Sequence, residues 1–103
     1  MSTIKEFQEQ TKDLAQSFPE TTVEQRLLFL VTEVGELTRE VLQHVGAYPS
    51  HGAVAPEVAG EKIGMEMYDV LWNVCDLANR LGIDLEQAFA RKVEQNRRRW
   101  QTS

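Results

Sequence analysis

Along residues 23–41, Val23, Leu27, Leu30, Val34, Leu37 and Val41 recur at steps of three and four, the period of a helix with one apolar face. No stretch alternates apolar and polar residues as a half-buried strand does, and no segment repeats, so the pattern predicts an all-α fold. Local punctuation divides the chain into four helices. Thr3-Ile4-Lys5-Glu6 has the Thr-x-x-Glu form of a capping box and predicts a first helix to about Gln16, ended by Phe18-Pro19. Thr21-Thr22-Val23-Glu24 offers a second box, with a long helix to about His44. Gly46 to Pro56, with two glycines and two prolines and no periodicity, reads as a loop. A third helix is expected to start between Pro56 and Glu61 and to reach Arg80. Gly82 is a helix stop, and Asp84-x-x-Gln87 caps a fourth helix to about Trp100.

A chain of 103 residues is expected to form one domain, residues 1–103, with a thin core. Four short helices leave apolar faces uncovered, which argues for a homo-oligomer. The balance is acidic, with 16 Asp+Glu against 11 Lys+Arg and a formal charge of −5. That disfavours non-specific binding to nucleic acid or anionic membranes, although Arg91, Lys92, Arg97, Arg98 and Arg99 crowd the last stretch. The single cysteine, Cys75, excludes an intrachain disulfide and a Cys-rich zinc site, and its apolar neighbours Val74 and Leu77 suggest a core position. Met1-Ser2-Thr3-Ile4-Lys5-Glu6 lacks the pattern of a secretory signal, and no apolar run is long enough to span a membrane, so the expected location is cytoplasmic.

Carboxylates occupy positions where a core is expected. At about 100° per residue, Glu33, Glu36 and Glu40 fall within a sector of roughly 60° that borders the apolar stripe. On the third helix Glu66 and Asp69 project together, with Asn73 one turn further along. They border a broad apolar arc of Met67, Val70, Leu71, Val74, Cys75 and Ala78, which predicts a central, buried helix. Carboxylates crowded at a core edge must protonate, find cations or bind metal. Two Glu-x-x-Glu/Asp pairs on packed helices suit hard cations such as Mg²⁺ or Mn²⁺. By spacing alone, solvated helix faces account for them equally well.

Leu30-Val31-Thr32-Glu33-Val34-Gly35-Glu36-Leu37, followed by Glu66-Met67-Tyr68-Asp69-Val70-Leu71, resembles the signature of the MazG-like nucleotide pyrophosphohydrolases. Gly82-Ile83-Asp84-Leu85, then Ala88, Arg91-Lys92, Asn96 and Arg99-Trp100, continue the likeness, which covers roughly residues 23 to 100. Thr32 stands where that family usually has the first Glu of Glu-Glu-x-x-Glu, a departure shared with its dCTP pyrophosphatase branch. The connection from Glu36 to Glu66 is also at the long end of the family's spacing. The resemblance implies a four-helix protomer of the all-α NTP pyrophosphatase type, packing as a helical-bundle oligomer. A homotetramer built from dimers is the expected form, with a dimer as the simpler alternative. It further implies Mg²⁺-dependent hydrolysis of nucleoside triphosphates between the α- and β-phosphates, giving a monophosphate and pyrophosphate. Four metal ligands are then expected, Glu33, Glu36, Glu66 and Asp69, with Glu33 or Glu36 as the proton acceptor.

Lys92, Asn96 and Arg99, about one turn apart on the fourth helix, match the family's phosphate-contacting pattern. Arg97 and Arg98 fit an ordinary solvated helix end. Asn73 shares a face with Glu66 and Asp69. Its amide is suited to reading a base or sugar, and equally to bonding within the bundle. Phe7, Phe18 and Trp72 are the aromatic residues available for stacking, and His44 and His51 flank the loop. Two further readings remain open. The chain could act on phosphoribosyl-ATP or dUTP within the same superfamily, or be a non-catalytic helical oligomer holding a structural ion.

Overall fold

The computed structural model describes residues 3–46 and 56–101. They form four helices, α1 (Ile4–Ala15), α2 (Val23–His44), α3 (Pro56–Arg80) and α4 (Leu85–Gln101), with no strand among the described residues. Most of the expected loop, including His51, lies outside the described residues. The N-caps of α1 and α4 act where the sequence implies. Thr3 Oγ1 accepts from the Glu6 amide at 3.1 Å, and Asp84 Oδ1 accepts from the Gln87 amide at 3.2 Å. The box on α2 sits one residue later than Thr21 and Glu24. Thr22 Oγ1 accepts from the Gln25 amide at 3.1 Å and Gln25 Oε1 accepts from the Thr22 amide at 3.0 Å. The residue that caps is the last extended one, and that is Thr22, with φ −83° and ψ 165°.

Contacts divide the chain into two compact units, separated between Glu20 and Thr21 and again between Val74 and Cys75. The first takes α1, α4 and the last turns of α3. Cys75 and Ala78 are buried in it with Leu85, and Thr11 and Asp76 are buried beside them. The Thr11 hydroxyl donates to the Phe7 carbonyl at 2.9 Å, and Arg80 Nε donates to Asp76 at 2.9 Å. Burial pushes the Cys75 thiol up, with a Thr11 hydrogen bond pulling the other way, so Cys75 is an inert core residue.

The end of α3 is a Schellman turn. The Ile83 amide donates back to the Ala78 carbonyl at 2.8 Å and the Gly82 amide to Asn79 at 3.3 Å, with Gly82 at φ +69°. Gln8 fastens that turn to α1. Its Nε2 donates to Asn79 Oδ1 at 2.9 Å and to the Ile83 carbonyl at 2.7 Å, while its Oε1 accepts from the Leu85 amide at 3.1 Å. Asn79 Nδ2 returns a bond to the Gln8 carbonyl at 3.1 Å. One glutamine thereby satisfies an amide at the start of α4 that no helical carbonyl can reach.

The second unit is α2 with α3 up to Val74, and its interior differs from the sequence expectation. Leu27 and Val34, members of the apolar stripe, are 49% and 44% exposed. The shielded line on α2 is instead Val23, Arg26, Leu30, Glu33, Leu37 and Glu40. Its counterpart on α3 is Ala59, Ile63, Glu66, Val70 and Asn73. Both lines step by alternate threes and fours, the spacing of a two-helix seam. On α2, apolar residues alternate along the seam with charged ones. Met67 and Leu71 of the expected α3 arc are exposed, whereas Val70 and Val74 are half-buried. Glu33, Glu40 and Glu66 sit in the seam itself, not at its border.

Candidate metal centre

Glu66 and Asp69, three apart on α3, lie on neighbouring turns of one helix face. Glu33 comes from the facing position on α2. Each of the three offers a carboxylate oxygen, and these oxygens all lie within 4.8 Å of one another. All three residues are half-buried. One oxygen of Glu33 and one of Glu66, Oε2 in each, are shielded from solvent without a hydrogen-bond partner. Buried acceptors left in that state cost free energy, and a shared cation relieves all of them together. A hard cation with oxygens at about 2.1 Å holds opposed ligands about 4 Å apart, which matches the cluster's spread. The donor set is oxygen alone, with no His or Cys, which suits a hard divalent cation.

The electrostatics point the same way. Burial, then the charges of Glu36 and Asp69, a hydrogen bond with Glu36 and the charge of Glu66, push the Glu33 carboxyl up to about 7. Glu66 is raised by burial and by Glu36, Asp69 and Glu40, and a hydrogen bond with Glu33 offsets part of the rise. Without a cation the site therefore stores a proton near neutral pH. Crowded like charges and lost hydration are the reason.

Of the residues expected from sequence, the structure brings Glu33, Glu66 and Asp69 into one group. Glu36 stays outside it. It makes a second three-residue step in succession after Leu30 and Glu33, which leaves the line that continues through Leu37, so it is exposed, yet its charge still acts on both Glu33 and Glu66. Glu40, two turns beyond Glu33 on the same line, is half-buried and acts on Glu66. Lys92, Asn96 and Arg99 lie on α4, in the other unit, with Lys92 and Arg99 exposed and Asn96 half-buried. Neighbouring Arg98 reaches Glu94 at 3.1 Å on the exposed side of that helix.

Asn73 is 5% exposed, and both ends of its amide are engaged within α2 and α3. Nδ2 donates to the Asp69 carbonyl at 2.7 Å, and Oδ1 accepts from Arg26 Nη1 at 2.9 Å. Arg26, only 7% exposed, is the residue that sequence reasoning missed. Its guanidinium carbon lies 4.8 Å from the centroid of the Trp72 ring and 5.3 Å from that of Phe29. Each such contact is worth about 0.5–2 kcal/mol, the larger value where water is excluded. Trp72 thus carries an arginine on its ring, while Phe7 is half-buried and Phe18 and His44 are exposed. One signal in the sequence pointed to Arg26: it precedes Glu33 by seven residues, which puts both on one seam line.

Residues 21–102 match the family model of the MazG nucleotide pyrophosphohydrolase domain. A comparison with curated proteins gives no significant match.

Proposed function

The chain belongs to the MazG nucleotide pyrophosphohydrolase family, hydrolases of nucleotide acid anhydrides, and we propose that it cleaves nucleoside triphosphates between the α- and β-phosphates with Mg²⁺. The products are a nucleoside monophosphate and pyrophosphate, which fits a house-cleaning role in the cytoplasmic nucleotide pool. Among the described residues no helix is long and apolar enough to cross a membrane. The observation that carries the reading is the three-carboxylate cluster of Glu33, Glu66 and Asp69, with two shielded oxygens lacking partners. Those three residues would hold the cation, and Mn²⁺ would substitute for it. When bound, the cation neutralises phosphate charge and makes water a usable nucleophile near neutral pH.

The chain's own residues supply the rest. Glu33 and Glu36 are the candidates to accept the proton of the attacking water. Glu36 is exposed and outside the three-ligand group, so it retains a free carboxylate for that task. Lys92, Asn96 and Arg99 are the proposed phosphate-contacting residues, with a point charge, an amide and a planar fork available to phosphoryl oxygens. The proposal includes self-association into a homotetramer built as a dimer of dimers, or into a dimer. Leu27, Leu28, Val31 and Val34 on α2 and Met65, Met67, Tyr68 and Leu71 on α3 are exposed apolar side chains that a second copy would cover.

Pyrophosphate release tests the reading across canonical and modified dNTPs, with dUTP and phosphoribosyl-ATP included. The parent is expected to release pyrophosphate only with Mg²⁺ or Mn²⁺. Glu66→Gln and Asp69→Asn are each expected to lose at least 100-fold while remaining helical. Release from phosphoribosyl-ATP or dUTP alone would move the substrate assignment within the superfamily. An inactive parent that still binds an ion would make the cluster a structural site.

A further inference from the structure

The α2–α3 seam is built in layers, and two of them share one register. Arg26 meets Asn73 across the seam, and Glu33 meets Glu66 in the same way. Arg26 precedes Glu33 by seven residues on α2, and Asn73 follows Glu66 by seven on α3, so the two pairs are the same distance apart on antiparallel helices. Seven residues correspond to about 10 Å of helix. Leu30 and Val70, both half-buried, occupy the level between them.

We propose that the Arg26–Asn73 pair is a register lock, a positioning element that holds α2 and α3 at the one alignment in which Glu33, Glu66 and Asp69 converge. The inference rests on the metal reading above. Apolar layers do not define that alignment well. Val23, Leu30 and Leu37 repeat every seven residues on α2, and Ile63 and Val70 do so on α3, so a slipped pairing still buries aliphatic surface. The carboxylate layer cannot define it either, because like charges oppose their own approach until a cation arrives. Arg26 and Asn73 are specific. The guanidinium lies over the Phe29 and Trp72 rings, and its Nη1 reaches Asn73 Oδ1 at 2.9 Å. Asn73 is itself fixed by its bond to the carbonyl of Asp69, one of the three ligands. Slippage would leave both polar groups buried against aliphatic neighbours, which is costly. A buried polar pair of this kind is the best-attested way for a helical seam to choose one register.

The test separates alignment from stability. In Arg26→Leu/Asn73→Leu the polar layer becomes aliphatic, which typically preserves or raises stability. Mn²⁺ binding is followed on the full chain by the loss of the free-ion paramagnetic signal, with thermal unfolding recorded alongside. The double variant is expected to stay helical and to need at least tenfold more Mn²⁺ for half-saturation. Excess Mn²⁺ should then restore pyrophosphate release towards the parental kcat, a recovery that a merely damaged fold would not give. Asn73→Gln keeps both an acceptor for Arg26 and a donor for the Asp69 carbonyl and should stay within threefold of the parent. Arg26→Lys, which loses the planar stack, should weaken binding at least threefold. If the double variant unfolds, these two single variants decide, and parental affinity in both overturns the lock. Parental affinity in a folded double variant overturns it too. A parent that binds no Mn²⁺ removes the metal reading itself, a different failure from a parent that binds and variants that bind equally well.

Discussion

The two units of this chain treat buried polar groups in opposite ways. Around Gln8, donors and acceptors from α1, the α3–α4 turn and the start of α4 are joined into one network. Around Glu33, two carboxylate oxygens are shielded without a partner, and three acidic groups crowd within 4.8 Å. The first arrangement is complete as it stands. The second becomes complete only when something positive is supplied from outside. A satisfied polar network reads as scaffold, and an unsatisfied one reads as a binding site.

Changes at the acidic layer should sharpen the contrast most. Removing divalent cations with a chelator is expected to abolish pyrophosphate release and to leave a protein whose stability depends on pH in an unusual direction. The Glu33 carboxyl is raised from 4.5 to about 7, so between those values the folded state binds more protons than the unfolded one. Its contribution is therefore full below about pH 4.5 and is lost as pH rises through about 7. Metal-free protein should melt at a lower temperature at pH 8 than at pH 6. Glu33→Gln should flatten that slope, and Mn²⁺, which displaces the proton, should reverse it. A metal-free melting temperature that rises over this interval would show that the layer does not hold its proton.

The scaffold side should respond in stability and not in metal binding. Gln8→Ala strands the Leu85 amide and the Asn79 side chain, and is expected to cost about 2–3 kcal/mol. In a domain of this size each kcal/mol lowers the melting temperature by about 4–8 °C. Mn²⁺ affinity should be unchanged when measured below the transition. The smallest effect is expected at the turn itself. At Gly82 an added Cβ would meet nothing within 4 Å, so Gly82→Ala should carry only the backbone penalty of φ +69°, about 1 kcal/mol. A larger loss by calorimetry would mean that the turn is packed more tightly than the geometry implies.

The helices were legible in the sequence because their boundaries are local chemistry. Thr3, Asp84 and Gly82 act at the positions their residue types favour, and the α2 cap moved by a single residue. Which face of α2 turns inward was legible in part, since Val23, Leu30 and Leu37 of the apolar stripe do lie on the shielded line. Counting apolar residues selects Leu27 and Val34, but half the seam's layers are charged, so the apolar count and the shielded line diverge. The acidic pairs were visible as spacing, and Glu33, Glu66 and Asp69 do converge, while Glu36 is turned aside by the helical pitch. Gln8 was invisible. It is an ordinary polar residue in mid-helix whose partners lie more than seventy positions away.

The layered seam also constrains how this chain can change over generations. Replacing Glu33 or Glu66 by leucine or methionine would remove mutual repulsion and one unsatisfied acceptor, and would extend an aliphatic seam. A population selected for heat resistance alone would find such substitutions early, and each would empty the pocket of its function. Thermostabilising screens of this chain therefore need an activity filter, because their most stable survivors will be concentrated at the site itself.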